Sequence, residues 1–392
     1  MTASIRNEQY SGPIQPTQRP PIPRLSVAPE STSIDLRVKT HTKLAVTGLS
    51  MTFIENPAVP KGSIAVITGA NGYIASHIAD QFIRHGYKVR GTVRNPKKSA
   101  WLVPHFEKKY GVDGAYDEAI KGASIFVHTA TVIDFNGDPA EVIGGAVKCG
   151  MVAIKAAYKE PNMKRFVLTS SASTLMPLKK ENFFALKGQT VDVDTFGHDA
   201  KALAWAPPPW GVEHGGAIYG ASKMEQEQNI WKFYEENKTN RPDIVVNSIV
   251  PDFNFGRSID PSQTGGSSSF GLIVELFEGK TLPELWHLPH YFVDVEDDAA
   301  LHVAAAILPD VKNERIFAFA YPMNWDIILD ILRKQNSGRK FADDFHNEEY
   351  PVTVKPIARA ESLLKRLGRP GWISLEQSIA TNTEHLKTLD SA

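Results

Sequence analysis

Short apolar runs alternate with stretches of helical periodicity from Ser63 onward. Ile64-Ala65-Val66-Ile67-Thr68 has the length of a strand and ends in the turn Gly69-Ala70-Asn71-Gly72. Over about Tyr73–Gly86, the positions Ile74, Ile78, Phe82 and Ile83 predict a helix with one buried side. Tyr87–Val93, Ile125–His128, Arg165–Thr169 and Ile244–Val250 read as further strands, and about 140–158 as another helix. Buried strands separated by crossover helices predict an α/β fold whose parallel sheet is covered on both faces.

Beyond about Pro251 the alternation weakens. A loop rich in glycine and serine (Gly265, Gly266, Ser267, Ser268, Ser269) is followed by helices around Asp326–Lys334 and Ala358–Leu367. The pattern divides the chain into a sheet-forming region over 51–250 and mainly a smaller lobe over 251–392, with some return to the sheet. Residues 1–50 read differently. Pro13, Pro16, Pro20, Pro21, Pro23 and Pro29 among Ser, Thr and Gln cannot bury a core, so a disordered extension is expected. Glu8, Glu30 and Asp35 argue against a transit peptide, and Met51 is an alternative start.

With 42% apolar and 22% charged residues, the composition is that of a soluble globular protein. A net charge of −1 gives no basis for a nucleic-acid partner or an anionic-membrane surface. The single cysteine, Cys149, rules out an internal disulfide framework and fits a reducing compartment, so a cytoplasmic location is expected. No apolar run approaches the roughly 18 residues of a membrane span, and no metal site is expected. A monomer or homodimer is expected.

The turn after the first strand carries the first chemistry. Gly69 permits a tight bend, Gly72 lets backbone approach a pyrophosphate, and Ala75 packs helix against strand. The helix start then offers free N–H groups to phosphate oxygens. At the end of the second strand, where a carboxylate reads the ribose hydroxyl of NAD, the chain has Thr92-Val93-Arg94-Asn95, followed by Lys97 and Lys98. Arg94, with Lys97 behind it, favours the 2′-phosphate of NADP(H).

Tyr219 and Lys223 stand four residues apart, hence on one helix face. Tyr219 is an acid–base candidate, and a neighbouring ammonium lowers a phenol's pKa. Ser171 follows the strand Arg165–Thr169, at the carboxyl edge where open α/β sheets bind ligands. It can donate to a carbonyl oxygen that gains negative charge.

Taken together, T-G-A-N-G-Y-I-A, V-R-G-T-V-R-N-P, T-S-S-A and Y-G-A-S-K resemble the extended short-chain dehydrogenase/reductase family. So do Phe292–Asp297 and the tail Ser374–Ile379. The chain is most similar to the group of dihydroflavonol reductases, cinnamoyl-CoA reductases and NADPH-dependent aldehyde and ketone reductases, from about Met51 to the C-terminus. The resemblance implies a Rossmann-type doubly wound sheet and a catalytic triad of Ser171, Tyr219 and Lys223, with Lys223 also holding the nicotinamide ribose. It implies that Tyr73 and Ile74 flank the pyrophosphate with Gly69, Asn71 and Gly72, and that Thr129, Ala130 and Thr131 line the nicotinamide side. Pro251, Asp252, Phe253 and Asn254 match the segment that contacts the carboxamide. The interval with Trp205, Pro207, Pro208, Pro209 and Trp210 would line the substrate mouth; read alone, it is equally a rigid aromatic surface loop.

Two departures stand out. The family's third strand and its terminal acid are missing between Tyr110 and Ile120, which would bare the second strand's edge; Asp113 is what remains of the acidic site. The helix at about 140–158 has no Asn, whereas some relatives hold a relay water there. The expected function is NADPH-dependent reduction of an aldehyde or ketone on a hydrophobic small molecule. The alternatives are a sugar-nucleotide epimerase or dehydratase with bound NAD, and a non-catalytic NADP-binding protein or truncated gene product.

Overall fold

A computed structural model of the chain describes residues 54–93, 120–131, 134–135, 137–175, 180–197, 199–211, 213–261, 268–282 and 287–389, together with 34–36. Strands β2 (Ile64–Ile67), β3 (Lys88–Gly91), β4 (Ala123–His128), β5 (Arg165–Thr169), β7 (Val245–Pro251) and β10 (Arg315–Ala318) form a parallel sheet. β1 (Ile34–Leu36) adds an antiparallel strand, and the order is β1-β3-β2-β4-β5-β7-β10. The order reverses between β2 and β4, which opens the crevice where such sheets bind ligands.

The strands bury both faces, and successive residues serve opposite layers. Ile67, Val127, Val167 and Ile249 pack with α1 (Tyr73–Arg84) and a helix over Val295–Ile307. Val66, Phe126, Phe166 and Val246 pack on the other side with α2 (Pro139–Lys159) and α3 (His214–Asn237). α2 starts cleanly because the Asp138 side chain accepts from the Ala140 N–H and proline occupies the first helical position.

A second core sits beyond the sheet's carboxyl edge. Strands β8 (Phe253–Phe255), β9 (His290–Asp294) and β11 (Tyr321–Met323) form a small sheet, and Phe253, Phe255, Phe292 and Trp325 fill its core with Ile273 and Leu329. β6 (Thr190–Val191) pairs in parallel with β12 (Thr353–Val354), far along the chain, tying the interval after Ser171 to the C-terminal region. β10 and the helix over 295–307 come from the C-terminal part of the chain yet belong to the large sheet's layers, so the lobe and the sheet are interleaved.

The outer edge of β3 differs from expectation. Residues 94–119, where the third strand is missing, lie outside the described residues. Among the described residues the neighbour of β3 is β1, with Ile34 opposite Gly91 and Leu36 opposite Val89. A stretch read as disordered therefore supplies three residues of strand, and the edge read as bare is paired. The physical reason is that unpaired edge N–H and C=O groups offer a template to any extended segment of the same chain. Among the described residues no helix is long and apolar enough to cross a membrane.

Candidate active site

The turn between β2 and α1 is built to bring backbone close to a ligand. Gly69 has φ +65°, a conformation that L side chains rarely adopt. Its N–H donates to Thr92 Oγ1 at 3.2 Å, and the Ala70 N–H donates to the Thr92 carbonyl at 2.7 Å, so the end of β3 fixes the turn. A Cβ on Gly91 would lie 2.7 Å from Ala70 Cβ, and one on Gly72 3.1 Å from the Gly69 carbonyl oxygen. α1 has no side-chain cap and no acid in its first turn, leaving its N-terminal amides and positive dipole end for an anion. Ala75 is buried in the same core as Ile67, as the turn motif requires. The Tyr73 side chain points elsewhere: its hydroxyl donates to the Gly256 carbonyl at 2.9 Å and its ring packs on Phe270, so only its backbone is available to a phosphate. Ile74 is partly buried and packs against the core. Arg94 and Lys97 lie outside the described residues.

At the end of β4, the Thr68 hydroxyl accepts from the N–H groups of Thr129 and Ala130, each at 3.0 Å, binding the two strand ends together. Thr131 Oγ1 is buried without a hydrogen-bond partner, as is Asn254 Oδ1 on β8. Unpartnered buried polar atoms at a sheet's carboxyl edge call for a ligand. With the turn, they fit a dinucleotide. Pro251 ends β7 and, like Phe253, is buried.

Ser171 caps a short 3₁₀ turn, and its Oγ accepts from the Ser173 N–H at 3.2 Å and lies 3.0 Å from Ser173 Oγ. Its hydroxyl also acts on the phenol of Tyr219, which is half-buried on the second turn of α3. The Phe135 ring lies 5.8 Å from that of Tyr219. This contact needs Gly215, where a Cβ would fall 2.5 Å from the Phe135 carbonyl oxygen. Burial raises the phenol's pKa, the Ser171 hydroxyl opposes the shift, and Asp252 adds to it. The expectation that Lys223 lowers this pKa is thus corrected: burial dominates the shift, and the groups acting on the phenol beside it are Ser171 and Asp252.

Lys223 is 3% exposed, and its Nζ donates to the Thr169 carbonyl at 2.6 Å. Burial lowers its pKa to about 8, opposed by Glu227. Glu227 in turn accepts from Ser170 and Ser248, each at 2.7 Å, and from Arg315 Nε at 3.0 Å. Arg315 also reaches the Thr174 hydroxyl at 2.7 Å. The pair therefore anchors the backbone on both sides of Ser171.

Gln226 went unnoticed in the sequence, although it stands three residues after Lys223. Its Oε1 lies 3.4 Å from Lys223 Nζ, and its Nε2 donates to the Ala146 carbonyl on α2 at 2.9 Å. Gly150 provides the space, since a Cβ there would meet Gln226 Cγ at 2.8 Å. The helix that lacks an Asn is linked to Lys223 through this amide. Trp205 and Trp210 are 53% and 56% exposed, and Trp210 stacks on His214 at 4.5 Å.

The NAD-dependent epimerase/dehydratase family model matches residues 65–192. Aldehyde reductase 2 of Sporidiobolus salmonicolor is 36% identical over 343 residues, covering 84% of this chain and 97% of that protein. The chain belongs to the NAD-dependent epimerase/dehydratase family. Ketoreductase adrE of Penicillium rubens is 37% identical over 352 residues, covering 84% of this family member and 98% of that protein. The crystal structure of Gre2 from Candida albicans, in complex with NADPH, superposes with a TM-score of 0.70 at 22% identity. That match covers 83% of this chain and 99% of Gre2 and carries the fold, a Rossmann-type parallel sheet. These two relatives are an aldehyde reductase and a ketoreductase, which supports an oxidoreductase acting on carbonyl groups.

Proposed function

We propose that the protein is an NADPH-dependent reductase that converts an aldehyde or ketone on a hydrophobic small molecule to the alcohol. The pairing of the Ser171 hydroxyl with the Tyr219 phenol, beside a buried Lys223 at the carboxyl edge of the sheet, carries the reading. When bound, NADPH supplies the hydride. Gly69, Asn71, Gly72 and the N–H groups of Tyr73 and Ile74 would hold the pyrophosphate, and Arg94 and Lys97 the 2′-phosphate. Thr129, Ala130, Thr131, Pro251, Phe253 and Asn254 would surround the nicotinamide end.

The chain's own residues have separable tasks. Tyr219, its pKa raised by burial, is a protonated phenol at neutral pH and so suits donation to a carbonyl oxygen. Ser171 donates a second hydrogen bond to the same oxygen as charge develops there. Lys223 orients the ribose and keeps positive charge near the phenol. Its own position is set by the Thr169 carbonyl and Gln226.

Measuring NADPH consumption against a panel of aromatic and aliphatic carbonyls tests the proposal. Turnover of hydrophobic aldehydes or ketones is expected. Tightly co-purifying NAD with no NADPH consumption would replace the proposal with a sugar-nucleotide epimerase or dehydratase.

A further inference from the structure

One carboxylate beside the proposed reaction centre takes no part in the proposed chemistry. β7 ends at Pro251, and its neighbour β5 runs level with it, since the Ser170 N–H donates to the Ile249 carbonyl at 2.7 Å. Asp252 is therefore the first residue past the strand end, beside Ser171. It is not fully buried, and its side chain is fixed from the lobe: Oδ2 accepts from the Tyr291 N–H at 2.9 Å, and Oδ1 lies 3.3 Å from His290 Nδ1. Among the described residues, no Lys or Arg pairs with it. Tyr291 and Tyr350 meet at 4.8 Å, and Tyr350 packs on Phe183 at 5.6 Å, so the carboxylate is set among aromatic rings. Its charge reaches the phenols on both sides, adding to the upward effect of burial on Tyr219 and on Tyr350.

We infer that Asp252 is a specificity-determining residue that makes the cleft reject carbonyl substrates carrying a carboxylate next to the reacting carbon and accept their neutral counterparts. The inference rests on the reductase reading. Two like charges a few ångströms apart at a largely buried site repel strongly enough to change binding by about tenfold or more. The fixed geometry leaves Asp252 little room to turn away, because each oxygen already faces a partner on β9.

The test compares phenylglyoxylate with its ethyl ester in the NADPH-loaded protein and in Asp252→Asn. Asparagine keeps the shape and can still accept from Tyr291, and NADPH titration checks that the variant is folded. The wild type is expected to prefer the ester, and the ester-to-acid ratio of kcat/KM should fall by about tenfold or more in the variant. A second readout is independent of turnover: calorimetric affinity for benzoate, relative to benzamide, should rise by a similar factor in Asp252→Asn. An unchanged ratio with unchanged benzoate affinity overturns the role of Asp252 while leaving the reductase reading intact. If the wild type binds NADPH but reduces neither the ester nor any other neutral carbonyl, the reductase reading fails and this inference falls with it.

Discussion

Lys223 Nζ lies 2.6 Å from the carbonyl oxygen of Thr169, two residues before Ser171 on the chain. One hydrogen bond therefore ties the helix bearing Tyr219 to the strand end bearing Ser171, and the spacing of the proposed catalytic groups depends on it. Lys223→Met should leave that carbonyl without its buried partner and cost about 1–3 kcal/mol of stability. NADPH affinity and turnover should fall together. Urea unfolding and NADPH titration check this.

The pair behind Lys223 should matter more to folding than to chemistry. Glu227 and Arg315 are buried together, and removing one charge strands the other. Glu227→Gln is expected to destabilise the protein by about 3–5 kcal/mol. Glu227→Gln combined with Arg315→Met should recover part of that loss, as measured by denaturant unfolding.

The close approach of β3 to the cofactor turn gives a steric prediction. Gly91→Ala would place a methyl 2.7 Å from Ala70 Cβ. The turn must shift, at a cost of about 1–3 kcal/mol. Weaker NADPH binding in titration, with a lower unfolding midpoint, is the expected outcome.

Asp298 gives a pH prediction. Burial raises its pKa from 3.8 to about 8. Between those values the folded state holds a proton that the unfolded state has lost, so this contribution is full below about pH 4 and is lost as pH rises towards 8. Asp298→Asn removes that dependence. Relative to wild type, the variant should gain stability as pH rises across this window, by up to about 1.4 kcal/mol per pH unit. Unfolding curves at a series of pH values measure the difference.

The paired edge of β3 predicts a change in association. Deleting residues 1–50 removes β1 and exposes the N–H and C=O groups of Lys88–Gly91 that it covers. The shortened protein should self-associate more than the full chain in size-exclusion chromatography with light scattering.

Much of this was legible because parallel strands are nearly continuous apolar runs. Ile64–Thr68, Arg165–Thr169 and Ile244–Val250 announce themselves, and the described strands fall on them. The Tyr219–Lys223 spacing likewise places both residues on one helix face near Ser171. Contacts between distant segments were not legible. Nothing in the local pattern says that Ile34–Leu36 pairs with β3, because its three residues carry no periodicity of their own. Gln226 reaches α2 only because Gly150, distant in sequence, leaves room for it. The direction of the Tyr219 shift also escaped, since spacing reveals a neighbouring ammonium but not how much protein surrounds the phenol.

The most direct test of the account is Tyr219→Phe, assayed for carbonyl-dependent NADPH oxidation and, separately, for NADPH binding. Loss of the proton donor should lower turnover by roughly a hundredfold to ten-thousandfold, while the dissociation constant for NADPH stays within a few-fold of wild type. Turnover close to that of the wild type would contradict the assignment of Tyr219 as the proton donor.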